Sequence, residues 1–278
     1  MLRLYRFEPA EPKRIHTLEE GKLRYSSPRQ FNDLEDCRLH LAVQPNDYHS
    51  DSAIKAAAEA LYLPDHLPDG HVLKERTDFL ARYIAMERRD LAGAPVEDFL
   101  KRVGNRFNAR QLREDIVAST AVCCFFAAEP TDALMWAHYG NNHSGFCVEY
   151  ELSANEKDLP EILHEVNYVS RWPPSVDAKE LLLSPSSTLL RVVTTKRLNW
   201  AHEREFRIVM LNRLDPEGRE SGIVEEKPPW LIPRRVICGA RQKGDSKLNY
   251  DMETLAVRLG ARRARIEVSD EGLVVADL

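Results

Sequence analysis

A chain of 278 residues is long enough to bury a core without disulfide or metal staples. With 43% hydrophobic and 30% charged residues it reads as an ordinary soluble globular protein, which excludes a disordered or membrane-embedded chain. A net charge of only −5 gives no whole-molecule attraction to nucleic acid. No run of eighteen apolar residues is present and "MLRLYRFEPAEPKR" lacks the apolar core of a secretion signal, so the expected location is the cytoplasm, without membrane contact.

The chain opens with a strand expected over Leu2–Phe7, a helix from His16–Thr17 to a left-handed cap at Gly21, and a strand over Lys22–Ser26. In "LYRF", Arg6 points opposite to Tyr5 and Phe7. It is either an edge arginine reaching water or a guanidinium held in a cleft, where its fork suits phosphate. "YSSPRQFNDLED" follows; Ser27 before Pro28 starts a turn, and Asn32 and Asp33 close one or contact a sugar.

Residues 50–117 carry apolar positions at three- and four-residue steps and read as a helical insertion within a single domain spanning 1–278. The stretch 118–211 is strand-rich, with "STAVCCFF", "GFCVEYEL", "ILHEVNYV" and "EREFRIVML" as strands and "VDAKELLL" and "SSTLLRVVTTK" as helices. The tail adds "EKPPWLIPRRVICGA", the helix "KLNYDMETLAVRLGA" and the strands "RIEVSD" and "GLVVADL". Strands and helices mix without regular alternation. The expected class is therefore α+β, with a central mixed or antiparallel sheet. Five cysteines without a C-x2-C pair fit reduced, buried thiols. No P-loop, G-x-G-x-x-G, H-E-x-x-H or G-x-S-x-G motif is present.

Two further stretches carry polar side chains at element boundaries. "PTDALMWAHYGNNHSG" crowds Trp136, His138, Tyr139 and His143 at the end of a helix begun near Pro130 and Asp132. His138 and His143 lie about 140° apart round a helix, which is poor geometry for one metal. In "NWAHEREFRIVML", a strand begun near Glu203 would place Glu203, Glu205 and Arg207 on one face. Arg204 and Arg207 either neutralise that acid pair or leave it projecting into a cleft.

In this order, "LYRF", "TLEEGKLRYSSPRQFND", "LMWAHYGNNHSGFCVEYEL" and "W-x2-E-x-EFRI" resemble the bacterial domain of unknown function 2971 family over most of the chain outside 50–117. That family supplies no activity. A strand arginine, a "TLEEGKL" helix and strand, "CCFFAAEPTDALMW" and a late E-x-E strand are similar to ADP-ribosyltransferases, including toxins that modify DNA. This second resemblance implies NAD as substrate without a metal, and either a macromolecular acceptor, protein or nucleic acid, or water. It implies Glu205 as the catalytic carboxylate, Glu203 as the upstream acid and Arg6 as an NAD ligand. Tyr139 or Trp136 would stack on nicotinamide, with Tyr5, Ser27, Asn32, His138 and His143 as further pocket candidates. No S-T-S strand is present, so Ser27 or Ser119 would have to substitute. A toxin or phage-defence effector is the corresponding role. Two other classes stay open: a metal-dependent nuclease or phosphoesterase using His138, His143, Asp33 and Glu203, and a non-catalytic ligand-binding or sensor protein.

Overall fold

The computed structural model describes residues 2–33, 35–37, 40–42, 120–153, 162–172, 175–177, 185–211, 213–214, 222–242, 244 and 246–278. The expected helical insertion and Ser119 lie outside them. "RLYRFE" forms β1 (Arg3–Glu8), followed by α1 (Pro12–Glu19), β2 (Lys22–Ser26) and the short β3 (His40–Ala42). The first helix starts four residues earlier than expected because Pro12, with its fixed φ and missing N–H, suits a first helical turn. Gly21 (φ +72°) closes it as anticipated.

The centre holds β4 (Ala121–Phe126), α2 (Ala133–His138), β5 (Phe146–Leu152), β6 (Leu163–Glu165), β7 (Asn167–Val169) and β8 (Ser175–Asp177). After these come α3 (Pro185–Val193), β9 (Thr195–Arg197), a 3-10 turn over Leu198–Glu203 and β10 (Glu205–Met210). The chain ends with β11 (Gly222–Glu226), β12 (Leu231–Cys238), α4 (Ser246–Leu259), β13 (Arg262–Ser269) and β14 (Gly272–Asp277). Two helical expectations change. Ser175–Asp177, which includes the start of "VDAKELLL", is strand, and "TTK" leaves the α3 helix for β9, where β-branched Thr195 fits a strand.

Ten of these strands form one mixed sheet, in the order β11-β2-β4-β1-β5-β12-β13-β14, with β10 on β4 and β6 on β10. All its pairings are antiparallel except β12 with β13, which α4 connects. The architecture is thus α+β. Alternation along each strand divides the core between the two faces. Leu4, Leu23, Tyr25, Phe125, Val148 and Tyr150 meet Ile15 and Leu18 of α1 and Met252 and Leu255 of α4. Tyr5, Phe7, Phe126, Cys147 and Ile237 face the other way, against Met135 and Trp136 of α2.

The edge of β4 is forked, and the fork positions the site. β10 pairs with β4 along its whole length, from Glu205 opposite Phe126 to Met210 opposite Ala121. On its other edge, β4 meets β2 only at Val122 (opposite Ser26) and β1 only at Phe126 (opposite Tyr5). Between those points the strands diverge. The carbonyl of Cys124 would lose its ladder partner there, and the guanidinium of Arg6 takes that place at 3.1 Å. No described helix is long and apolar enough to cross a membrane.

Candidate active site

A cleft of about 360 Å³ opens at this fork. Its floor includes Val122, Cys124 and Phe126, alternate residues of β4 that share a face. Glu205 and Arg207 of β10 border one side, Arg24 and Ser26 of β2 another, and His138 and Tyr139 stand at the end of α2.

The β10 side is built from buried charges. Arg207 grips Glu205 through Nε to Oε1 (2.8 Å) and Nη2 to Oε2 (2.9 Å). The same guanidinium grips Asp36 through Nη1 to Oδ1 (3.1 Å) and Nη2 to Oδ2 (2.6 Å) and donates to the carbonyl of Val193 (2.6 Å). Lys196 bridges the two glutamates, with Nζ 2.7 Å from Glu203 Oε2 and 3.2 Å from Glu205 Oε2, and sits over the Trp200 ring at 4.7 Å. The hydroxyl of Tyr139 donates to Glu203 Oε1 at 2.6 Å. Three carboxylates against two cations leave one net negative charge when all are ionised.

Isolated charges so deep would be neutralised; pairing keeps them ionised. Burial acts against the Glu205 carboxylate, yet Arg207 and then Lys196 outweigh it and hold its pKa down to about 2. Glu203 responds oppositely. Burial, reinforced by Glu205, raises its pKa despite the pull of Lys196. Burial and the adjoining Glu203 both raise the Tyr139 hydroxyl, which stays protonated and acts as a donor. A weakly basic Glu205 is suited to holding a cation and unsuited to taking a proton.

Arg6 reaches the cleft from the opposite face of the sheet. Its five donors are all engaged: Nε and Nη2 with Glu8 (2.7 Å each), Nη1 with Cys123 Sγ (2.8 Å) and the Cys124 carbonyl, and Nη2 with the Arg24 carbonyl (3.2 Å). It closes the fork, and it has no donor left for a phosphate.

The remaining candidates separate. Asn32 and His138 border the cleft. Tyr5 does not, although it shares the sheet face of Phe126; it packs in the core among Cys147 and Ile237. Ser27 is buried, its Oγ accepting from Arg29 N at 3.3 Å, and Asp33 accepts from Glu35 N at 2.9 Å, so both perform the turn role. Trp136 is fully buried, donates to the Pro130 carbonyl at 2.7 Å and meets Phe7 edge-on at 5.0 Å. It belongs to the core, with no face for nicotinamide. His143 stacks on Trp136 at 6.4 Å, away from the cleft.

The set His138, His143, Asp33 and Glu203 is therefore dispersed, and among the described residues no three His, Cys, Asp or Glu side chains are grouped to hold a metal. Glu203 also departs from the expected shared strand face. It ends the 3-10 turn, and Arg204 in the left-handed region (φ 48°, ψ 53°) separates it from β10. The helix end is likewise shorter than its sequence suggests. Asp132 caps α2 by accepting from Leu134 N (2.8 Å), but Asn141, Asn142 and His143 all take positive φ and break the helical spacing. Sequence reading did not single out Lys196, which ends "SSTLLRVVTTK", or Asp36, which ends "YSSPRQFNDLED"; only the fold brings them to the Glu205–Arg207 pair.

A family model described as a protein of unknown function (DUF2971) matches residues 135–208. The resemblance to that family therefore holds over the stretch carrying Tyr139, Lys196, Glu203, Glu205 and Arg207. No curated protein and no solved structure matches the chain.

Proposed function

We propose that the chain cleaves the nicotinamide–ribose bond of NAD, transferring ADP-ribose to a macromolecule or to water. The observation that carries this reading is Glu205, a carboxylate held ionised with a pKa of about 2 at the border of a cleft. Nicotinamide departs with the electron pair of the C–N bond and becomes neutral, so no general acid is needed. The ribosyl carbon gains positive charge, which a fixed carboxylate stabilises before the acceptor oxygen or nitrogen bonds to it and releases its proton to solvent. With all five groups ionised, the Asp36–Arg207–Glu205–Lys196–Glu203 network carries one net negative charge, which supports a cationic transition state. Tyr139 lies against Phe126 with centroids 4.6 Å apart, giving an aromatic wall, and about 360 Å³ falls in the range of small-molecule sites. A role as a toxin or phage-defence effector follows from the same reading.

The direct test is nicotinamide release from NAD by the purified full chain, with Glu205→Gln as the comparison. Release by the wild type and its loss in the folded variant are expected; a wild type that neither binds nor cleaves NAD overturns the proposal. One observation favours a second reading, ligand binding without turnover: three donors from Arg207 and Lys196 already occupy the Glu205 oxygens. Under it NAD binds and is recovered unchanged.

A further inference from the structure

The turn after α2 holds the one run of consecutive non-glycine residues at positive φ among those described: Asn141 at 46°, Asn142 at 52° and His143 at 67°. L-residues enter that left-handed region singly, asparagine and histidine most readily, so three in succession need surroundings that hold them. Those surroundings are present. The His143 N–H donates to the Trp136 carbonyl (3.2 Å), and the Ser144 hydroxyl donates to the Asn141 carbonyl (2.7 Å). From beyond β12, Arg241 N donates to the His143 carbonyl (3.0 Å) and the buried Gln242 donates through Nε2 to the Ser144 carbonyl (2.9 Å). The turn is thus locked from two elements. It leaves the Asn141 side chain exposed on the border of the cleft, where His138 and Tyr139 also stand.

The charged side chains of the cleft are engaged within the protein: Arg6 and Arg14 on Glu8, Arg207 on Asp36 and Glu205, Lys196 on Glu203 and Glu205, and Arg24 as well. The carboxamide of Asn141, by contrast, makes no hydrogen bond among the described residues, and neither do those of Gln30 and Asn32, exposed on the same cleft. The hydrogen-bonding capacity left for an incoming molecule therefore lies in neutral groups, these carboxamides foremost, beside the rings of Phe31, Phe126 and Tyr139.

We propose that Asn141 is a ligand-recognition residue, its carboxamide pairing with the uncharged amide-like edge of a nitrogen heterocycle that enters the cleft. A donor beside an acceptor matches a carboxamide or a nucleobase edge with two hydrogen bonds. A carboxylate, which only accepts, leaves the asparagine oxygen facing an anion. The aromatic rings suit a flat guest, and a cleft of about 360 Å³ falls within the size of small-molecule sites. Because the locked turn fixes the backbone from which the carboxamide extends, little ordering is left for the ligand to impose. Naming the heterocycle as nicotinamide rests on the proposed NAD reading; the role of Asn141 rests on the turn and the cleft.

Calorimetric titration of the full chain with nicotinamide, with adenosine and with nicotinate, the anionic counterpart of nicotinamide, tests it. Nicotinamide or adenosine should bind, and nicotinate should not. Asn141→Gly is the informative variant, because glycine adopts the same backbone without strain and only the carboxamide is lost. It should weaken binding about tenfold, the worth of two neutral hydrogen bonds. Asn142→Gly alters the same turn away from the cleft and should bind as the wild type does. Wild-type affinity in Asn141→Gly, equal binding of nicotinate, or binding of neither neutral probe at millimolar concentration overturns the assignment. Adenosine binding that Asn141→Gly weakens, without nicotinamide release from NAD by the wild type, supports Asn141 and removes only the NAD reading. Undiminished NAD binding and cleavage by Asn141→Gly removes Asn141 and leaves that reading standing.

Discussion

Replacing Glu205 by glutamine removes the anion on which the charge network is centred. Its side chain is 2% exposed and receives three donors, at 2.8 and 2.9 Å from Arg207 and 3.2 Å from Lys196. Removing one member of such a buried pair typically costs about 3–5 kcal/mol, because the partner cations stay buried. Proton linkage gives a comparable magnitude. A carboxyl group lowered from 4.5 to about 2 represents roughly 3 kcal/mol of stability. Because the folded-state pKa is depressed, that stability is fully present above 4.5 and is lost as pH falls towards 2. Urea unfolding at a series of pH values measures both quantities. Glu205→Gln should be about 3 kcal/mol less stable than wild type at neutral pH, and the gap should close as pH falls through that window. A variant within about 1 kcal/mol of wild type at neutral pH, or a gap independent of pH, would refute the ionised, load-sharing carboxylate.

Tyr139→Phe deletes the donor to Glu203 and should cost about 1–3 kcal/mol in thermal or urea unfolding. Since the folded-state pKa of Glu203 is already raised, losing this donor raises it further. The penalty should therefore grow as pH rises above 4.5, and a penalty that shrinks with pH contradicts the assignment. Arg6→Lys keeps the charge but offers three donors where the arginine supplies five, leaving buried acceptors at the fork unpaired. A loss of about 1–3 kcal/mol for each orphaned acceptor should lower the melting temperature; an unchanged melting temperature would show that Arg6 does not close the fork.

Local chemistry made much of the scaffold legible. Lys22–Ser26 is a strand as expected, bounded by a left-handed glycine and the Ser-Ser-Pro turn. Residues 246–259 form the expected helix, and the alternation of β1 correctly sets Arg6 opposite Tyr5 and Phe7. That same alternation placed Arg6 on the face opposite Glu205, a consequence visible only once β1 and β10 were known to flank one strand. Glu203 left the shared strand face because Arg204 adopts a left-handed conformation, which an arginine codon does not announce. Trp136 and His143 stand seven residues apart in the crowded helix end, and the tight turn through Asn141–His143 folds them back against each other. Lys196 and Asp36 were invisible for another reason. Their importance lies in partners 9 and 171 residues away along the chain, and no periodicity encodes such pairings.

The pH dependence of nicotinamide release from NAD addresses the role of Glu205 most directly. A carboxylate with a pKa of about 2 stays ionised between about pH 5 and 8, so release should proceed with no limb from its titration in that interval. A Glu205-dependent rate limb within that interval would mark a titrating general base and contradict a fixed anion. The absence of any nicotinamide release would overturn the NAD reading itself.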